Sequence, residues 1–156
     1  MVRPEDWVLL AYRLPREPSA PRLAVWRKLK RLGVAQLLDG LVALPLDSRN
    51  REELEWVADE VAEAGGHASI WIAAPATAAQ ERELADAMRK VIAEQYRAVI
   101  AQAGEASADQ TGRQRRSLAR LRRELDRIGR RDYFPPPERD KARAAVEELA
   151  RAVATP

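Results

Sequence analysis

The order of local patterns in the first half of the chain limits its fold more than any other feature of the sequence. Short runs rich in β-branched and aromatic residues alternate with two stretches of helical periodicity, in the order strand, helix, strand, strand, helix, strand. Strands joined directly form hairpins, whereas strands joined through a helix require a crossover. The order therefore predicts one α+β sheet domain over residues 1–75.

The first strand and the first helix have marked ends. A buried strand is predicted at Trp7–Leu14, because apolar residues fill this run and Pro15 ends it. Ser19 has a side chain that can cap a helix over Ala20–Leu32. Gly33 directly follows the last apolar residue of that pattern and is typical of a helix end.

The next two strands are predicted to form a hairpin. Residues 34–46 read VAQLLDGLVALPL, which places two apolar runs on either side of Asp39-Gly40. This dipeptide favours the tight primed turns of short hairpin loops. A fourth strand is predicted at His67–Ala74, where the sequence reads HASIWIAA.

The second helix is predicted at Arg51–Ala64. Asn50 and Glu53 have the spacing of a capping box, with Asn in place of the usual Ser or Thr. Gly65-Gly66 marks the end of this helix. The complete order of elements is that of the split βαβ, or ferredoxin-like, fold.

The second half of the chain is rich in Ala, Glu, Arg and Leu and has no strand signals, so residues 76–156 predict a helical extension. Three helices are expected to pack there as a small bundle. The first follows a capping box from Thr77 to Gln80 and is predicted to end near Gly104. Polar residues from there to Gly112 predict a loop.

The last two helices each have an apolar seam. One is predicted to end near Gly129, and the other to begin at about Pro137. The seam residues are Leu118, Leu121, Leu125 and Ile128 in the first of these helices, and Ala142, Val146, Leu149 and Val153 in the second.

Basic residues are concentrated around the first helix. Seven of them face a single acid, Glu17, between residues 13 and 31. At about 100° per residue, four of these cations lie opposite the apolar arc of the helix: Arg27, Lys28, Lys30 and Arg31. The apolar arc contains Val25, Trp26, Leu29 and Leu32. The seven residues are Arg13, Arg16, Arg22, Arg27, Lys28, Lys30 and Arg31.

This basic face has two interpretations. It can bind the phosphates of a nucleic acid, because each neutralised phosphate releases condensed counterions. It can instead be solvated, or neutralised by the second helix or across a dimer contact. The acids around the second helix are Asp47, Glu52, Glu53, Glu55, Asp59, Glu60 and Glu63, against Arg49 and Arg51.

A second basic cluster lies between residues 113 and 131, where nine arginines face only Glu124 and Asp126. Arginine stems can cover the apolar seam of a solvated helix. The guanidinium groups can also bind phosphate or a small oxyanion. The candidates for DNA or oxyanion contacts are Arg115, Arg116, Arg120, Arg123 and Arg127.

No residue pattern points to catalysis. The chain has no cysteine and one histidine, His67, which follows Gly65-Gly66 at a strand start and is expected to be an exposed residue rather than a catalyst. Phosphate-binding glycine loops, Ser/His/Asp arrangements and metal-ligand spacings do not occur, so neither an enzyme, a cofactor nor a metal site is expected. The four tryptophans, Trp7, Trp26, Trp56 and Trp71, are predicted to pack in the core.

No segment approaches the roughly 20 apolar residues that span a bilayer, and the first residues lack the apolar run of a signal peptide. We therefore expect a soluble cytoplasmic protein without a membrane partner.

Four stretches of the sequence resemble the N-terminal region of ChrB-type chromate-resistance proteins. They are YRLPREPSAPRLAVWRKLKRLG, LLDGLVALP, NREELEWVADEVAEAGG and RRDYFPPPERDKA, which together extend over nearly the whole chain. The first part also resembles the ferredoxin-like domain of PaaX-type repressors, in agreement with the order of strands and helices.

The resemblance implies a transcriptional regulator that binds the promoter of a chromate-efflux operon and is released by chromate. It implies that Arg13, Arg16 and the cations from Arg22 to Arg31 contact double-stranded operator DNA. A homodimer would match the two-fold symmetry of an operator. Many family members continue into a C-terminal domain, so a separate protein of that type is another expected partner. The alternative function is a protein-interaction module that docks such a partner or sensor domain.

Overall fold

The computed structural model describes residues 6–109 and 112–155 of the 156-residue chain. Two compact units are present, Met1–Ala85 and Asp86–Pro156. Sequence composition places the division after residue 75, whereas the division in the structure lies inside a helix that runs past it.

The elements follow the predicted order. They are β1 (Trp7–Arg13), α1 (Ala20–Leu32), β2 (Ala35–Leu38), β3 (Leu41–Pro45), α2 (Ser48–Glu63), β4 (His67–Ala73), α3 (Ala78–Ala108), α4 (Gln114–Arg130) and α5 (Glu138–Ala154). None of the helices in the described part of the chain has the length and apolarity required to cross a membrane.

The four strands form one antiparallel sheet in the order β2-β3-β1-β4. Central β1 pairs with β3 on one side and β4 on the other, and Leu10 lies opposite both Val42 and Ile70. This order confirms the α+β, split βαβ prediction, because each strand–helix–strand unit leaves a gap that a strand of the other unit fills.

The core of the first unit lies between one face of the sheet and the two helices. Alternate residues of β1 supply Val8 and Leu10, which are fully buried. Helix α1 adds only Val25 and Leu29, whereas α2 buries four side chains, so α1 has the narrower apolar seam. Burial of one such aliphatic side chain stabilises the fold by about 1.5–3 kcal/mol.

Two glycines allow the turns that close α1 and the hairpin. Gly33 ends α1 with φ 78°, in the left-handed region that favours glycine. Gly40 has φ 75°, and its amide carbonyl accepts a 2.8 Å hydrogen bond from the backbone of Tyr12. A Cβ at Gly40 would collide with the Tyr12 carbonyl oxygen, so the hairpin turn lies directly against the end of β1.

Two predicted helix caps are wrong. Helix α2 begins three residues before the predicted start, at Ser48, and Asp47 is its cap: its carboxylate accepts a 2.7 Å bond from the amide of Asn50. Asn50 is buried instead and donates to the carbonyl of Pro45 at 2.9 Å. Ser19 precedes α1 in a helical conformation and makes no capping bond. For α2, the spacing of the sequence could not show whether Asp47 or Asn50 is the cap, since Asp and Asn are equally good caps.

Helix α3 is longer than predicted. Its amide at Gln80 donates to the hydroxyl of Thr77 at 3.1 Å, which confirms that cap. The helix continues through Gly104 to Ala108, because buried Ala103 and Ala106 extend its apolar stripe. A glycine inside a helix costs about 1 kcal/mol relative to alanine, which this packing offsets. The predicted loop is thus largely helical, and its residues 110–111 lie outside the described residues.

The second unit is a helical bundle. Side chains of α3, α4 and α5 share one apolar core, as the seams predicted: it includes Ile92, Tyr96, Val99, Leu118, Leu121, Ile128, Ala142, Val146 and Leu149, with Leu125 and Val153 packed against it.

Candidate functional site

The basic face of α1 surrounds a narrow apolar seam. Val25 and Leu29 are buried, and at about 100° per residue Arg27 and Arg31 lie on the opposite side, where both are exposed. The first turn of α1 contains no acidic residue. Every charged residue of this helix is cationic.

One flank of α1 is neutralised by α2. Lys28 forms an ion pair with Glu60, and both side chains are partly exposed. Such a surface pair contributes about 0–1 kcal/mol. The acidic second helix thus takes up one α1 cation, whereas the others have no ion pair in the part of the chain that the structure describes: Arg22, Arg27, Lys30 and Arg31.

The two arginines that precede α1 are also exposed. Arg13 is the last residue of β1, opposite His67 on the neighbouring strand, and Arg16 lies in the bend that follows. His67 is exposed and is the first residue of β4, which agrees with its predicted position at a strand start.

Three of the four tryptophans are not in the core, contrary to prediction. Trp7 is 3% exposed, whereas Trp26, Trp56 and Trp71 are 48%, 56% and 59% exposed. Trp26 lies on a flank of α1 because the seam accommodates only two aliphatic residues. Trp71 is on edge strand β4, where its indole donates to Ser69 at 2.8 Å. Exposed tryptophan favours a contact surface, since indoles are enriched in binding sites.

Trp26 also borders a cleft of about 740 Å³ beside α1. The lysine one turn later, Lys30, places its ammonium group 4.7 Å from the centre of the indole ring. Three elements line the cleft: the end of β1, the start and flank of α1, and the hairpin. The lining residues are Tyr12, Arg13, Leu14, Ser19, Arg22, Leu23, Trp26, Gln36, Asp39 and Gly40.

The Tyr12 phenol lies among opposing charges. Burial raises its pKa above the usual value, the charge of Asp39 raises it further, and the charge of Arg22 lowers it. At neutral pH the phenol therefore stays protonated and can donate a hydrogen bond. Nothing in the sequence indicates that Tyr12 lines a cleft, because its position in β1 is that of an ordinary strand residue. Asp39 could be predicted only as a turn residue.

The arginines of α4, and Arg131 directly after it, have several kinds of partner. Arg127 pairs with Glu124 at 2.8 Å, and Arg131 lies 3.7 Å from the same carboxylate and donates to Gln95. Arg120 donates to Gln102 at 2.7 Å. Three of the predicted contact residues are exposed and have no partner within residues 6–109 and 112–155: Arg115, Arg116 and Arg123.

The linker between α4 and α5 contains a buried polar contact. Tyr96 donates to the Asp132 carboxylate at 2.7 Å, and burial together with this bond strongly raises the pKa of the phenol. The second oxygen of Asp132 and the Nε of Arg139 are buried without a hydrogen-bond partner among the described residues. The stretch that carries these residues, RRDYFPPPERDKA, thus anchors the linker to α3 within the second unit.

Groups of acidic or imidazole side chains that could hold a metal ion do not occur among the described residues. The residues of the α1 face and of the cleft beside it can bind a ligand through charge, stacking and hydrogen bonds.

The chain matches the model of one protein family. The family model described as "Protein ChrB, N-terminal" matches residues 22–155, which leaves Arg13 and Arg16 outside the matched region. No curated protein and no solved structure matches the chain.

Proposed function

The chain belongs to the family of the N-terminal region of protein ChrB, and from this premise we propose that it is a DNA-binding transcriptional regulator. The family connects the chain with chromate resistance. The proposed regulator represses a chromate-efflux operon by binding its double-stranded operator, and chromate acts as the effector that releases it. It is a cytoplasmic protein and not an enzyme.

The observation that carries DNA binding is the exposed cationic face of α1. Of its cations only Lys28 has an ion pair in the described chain, so Arg22, Arg27, Lys30 and Arg31 can each take a phosphate. Each phosphate contact lowers the slope of log affinity against log salt by about 0.9. Four contacts per chain would therefore give a slope of about −3.6.

Arg13 and Arg16 extend this surface along the backbone from β1 to α1, since both are exposed and lie just before the helix. Arginine binds phosphate through two parallel hydrogen bonds and can also read guanine edges. A homodimer would present two such surfaces to the half-sites of a symmetric operator. The arginines of α4 would add a further, weaker contact to DNA or to an oxyanion.

Fluorescence anisotropy on operator DNA tests this proposal. The variant Arg27→Glu/Arg31→Glu should lose about 100-fold in affinity and show a shallower salt slope. Lys141→Glu/Arg151→Glu on α5 is the matched control, because both residues are exposed and the change in net charge is the same. Equal losses in the two variants would overturn the α1 surface and leave only a net-charge effect.

A second candidate function is the docking of a separate partner, such as a C-terminal-type ChrB domain protein. The observation that favours it is the exposed Trp56 on the outside of α2, where its helical neighbours Glu52, Asp59 and Glu63 are also exposed. A tryptophan within an acidic rim suits a basic partner surface. Under this alternative the chain binds operator and scrambled DNA alike, and Trp56→Ala weakens binding to the partner domain.

A further inference from the structure

The cleft beside α1 is the size of a small-molecule site, which an exposed helix face would not need in order to bind phosphates. Its volume of about 740 Å³ falls in the range of small-molecule sites. All its lining residues belong to the first unit, between positions 12 and 40. The cleft is therefore a local feature of the sheet domain.

Two aromatic side chains line the cleft. Trp26 and Tyr12 come from different elements, α1 and β1, and both also line a smaller adjoining cavity of about 170 Å³. Lys30 lines only the smaller cavity. A ligand with a planar aromatic ring would bind best here, because stacking on the two aromatic side chains excludes water from both partners.

Two arginines are among the residues that line the same cleft. Arg13 ends β1 and Arg22 lies in the first turn of α1, and neither has a carboxylate partner in the described chain. Paired arginines bind a phosphate group through charge-assisted hydrogen bonds. The ligand should thus combine a planar ring with an anionic phosphate.

The hairpin adds a carboxylate, and the carboxylate discriminates between planar rings. Asp39 lies in the turn, and Gln36 donates to it over 3.4 Å. An ionised carboxylate only accepts hydrogen bonds. Guanine presents two adjacent donors on its Watson–Crick edge, N1–H and the N2 amino group, whereas adenine presents the acceptor N1 there.

We infer that this cleft is a guanine-nucleotide site: the base lies against Tyr12 and Trp26, its Watson–Crick edge donates to Asp39, and its phosphate is bound by Arg13 and Arg22. The raised pKa of the Tyr12 phenol agrees with a group that stays neutral beside an electron-rich base. The same chemistry is offered by a free guanine nucleotide and by an unpaired guanosine of a DNA strand.

The experiment is isothermal titration of the full chain, without duplex DNA, with GMP and with AMP. GMP should bind at least tenfold more tightly than AMP. Asp39→Asn should remove this preference while it keeps the turn, since the positive φ of the turn lies at Gly40 and Asn suits turn positions as well as Asp does. Equal binding of GMP and AMP by the unaltered protein, or no binding of either, would overturn the inference.

The indole N–H signals of the tryptophans in a ¹H–¹⁵N spectrum locate the ligand. GMP should shift the signal of Trp26, and Trp26→Ala should weaken binding at least tenfold. Trp56→Ala is the matched control, because that indole is similarly exposed on the other helix. A GMP shift at Trp56 instead of Trp26, or equal losses in the two variants, would contradict the assigned cleft.

A short single-stranded oligonucleotide with one guanine separates the two sources. Tighter binding of GMP than of the oligonucleotide identifies a free nucleotide as the ligand, and the reverse order identifies a strand. The inference shares Arg13 and Arg22 with the proposed operator contacts. Because nucleotide binding is measured without the operator, a GMP affinity that falls to that of AMP in Asp39→Asn, with unchanged operator affinity, separates the two proposals.

Discussion

Helices α1 and α4 both carry a cationic outer face over a buried seam, yet their charge is balanced in different ways. In α4 one carboxylate of the helix, Glu124, pairs with Arg127 and with Arg131, the residue that directly follows the helix. Helix α1 contains no acid, and its one ion pair among the described residues joins Lys28 to Glu60 of α2. Charge in α4 is thus partly balanced within the helix, whereas α1 depends on a neighbour that reaches only one flank.

The seams differ as well. Helix α4 buries Leu118, Leu121 and Ile128 in the bundle core, whereas α1 buries only two side chains and leaves Trp26 exposed beside a cleft. A count of basic residues would rank α4 as the more probable binding surface. The surroundings favour α1, because there the cations adjoin aromatic and hydrogen-bonding groups.

The first prediction, a large loss of stability, concerns the buried seam of α4. Leu121→Ala removes a fully buried side chain and should lower the free energy of unfolding by about 2–5 kcal/mol, measured by urea denaturation. The exposed variant Leu23→Ala on α1 is the control and should cost far less. Similar losses in both would show that the seam of α4 is no better packed than the flank of α1.

The second prediction compares the two cationic faces directly. Arg116→Glu/Arg123→Glu on α4 makes the same charge change as Arg27→Glu/Arg31→Glu on α1, and all four residues are exposed. We expect less than a tenfold loss of operator affinity for the α4 variant, against about 100-fold, or about 2.7 kcal/mol, for α1. If anisotropy gave the reverse order, the number of arginines rather than their surroundings would determine the DNA-binding surface.

A third prediction concerns Tyr96, which anchors the linker after α4. Tyr96→Phe leaves the Asp132 carboxylate without its donor and should cost about 1–3 kcal/mol. The folded-state pKa of Tyr96 is raised, so the stabilisation from this phenol is fully present below the unfolded pKa of about 10 and is lost as pH rises beyond it.

Urea denaturation at pH 7 and pH 11 checks the sign of this effect. The unaltered chain should lose more stability between these two values than Tyr96→Phe, because the variant has no phenol to ionise there. Equal losses would mean that Tyr96 contributes nothing to the alkaline transition.

The smallest expected effect concerns the ion pair that joins α1 to α2. A double-mutant cycle of Lys28→Ala and Glu60→Ala should give a coupling of less than about 1 kcal/mol, because both side chains are partly exposed and screened. A larger coupling would show that α2 neutralises α1 more strongly than the geometry indicates, and would weaken the case for a phosphate-binding face.

Much of the fold could be predicted because its signals are local. Helix α1 begins and ends where the apolar period and Gly33 place it, and the hairpin turns at Asp39-Gly40 as predicted. The predicted primed turn is wrong, because only Gly40 of the two residues has a positive φ. Errors arose where two residues of the same chemistry compete. Asp47 and Asn50 can both cap a helix, and only the packing of Asn50 against the carbonyl of Pro45 selects between them.

The candidate site was predictable only in part. The cations of α1 were evident from composition, but their ion pairs depend on which acids lie within a few ångströms, and Lys28 meets Glu60 from 32 residues away. The cleft was not evident, because Tyr12, Trp26 and Asp39 belong to three elements and only the turn against β1 brings them to one place.

The order of the elements, the apolar seams and the excess of cations on α1 follow from the amino-acid sequence, since periodicity and local charge depend on neighbours along the chain. Tertiary structure alone decided which tryptophans are buried, which cations are paired and where aromatic, basic and acidic groups share a cleft. The reason is physical: burial and ion pairing depend on distances between residues remote in sequence, and a helical period gives the direction of a side chain but not the space available to it.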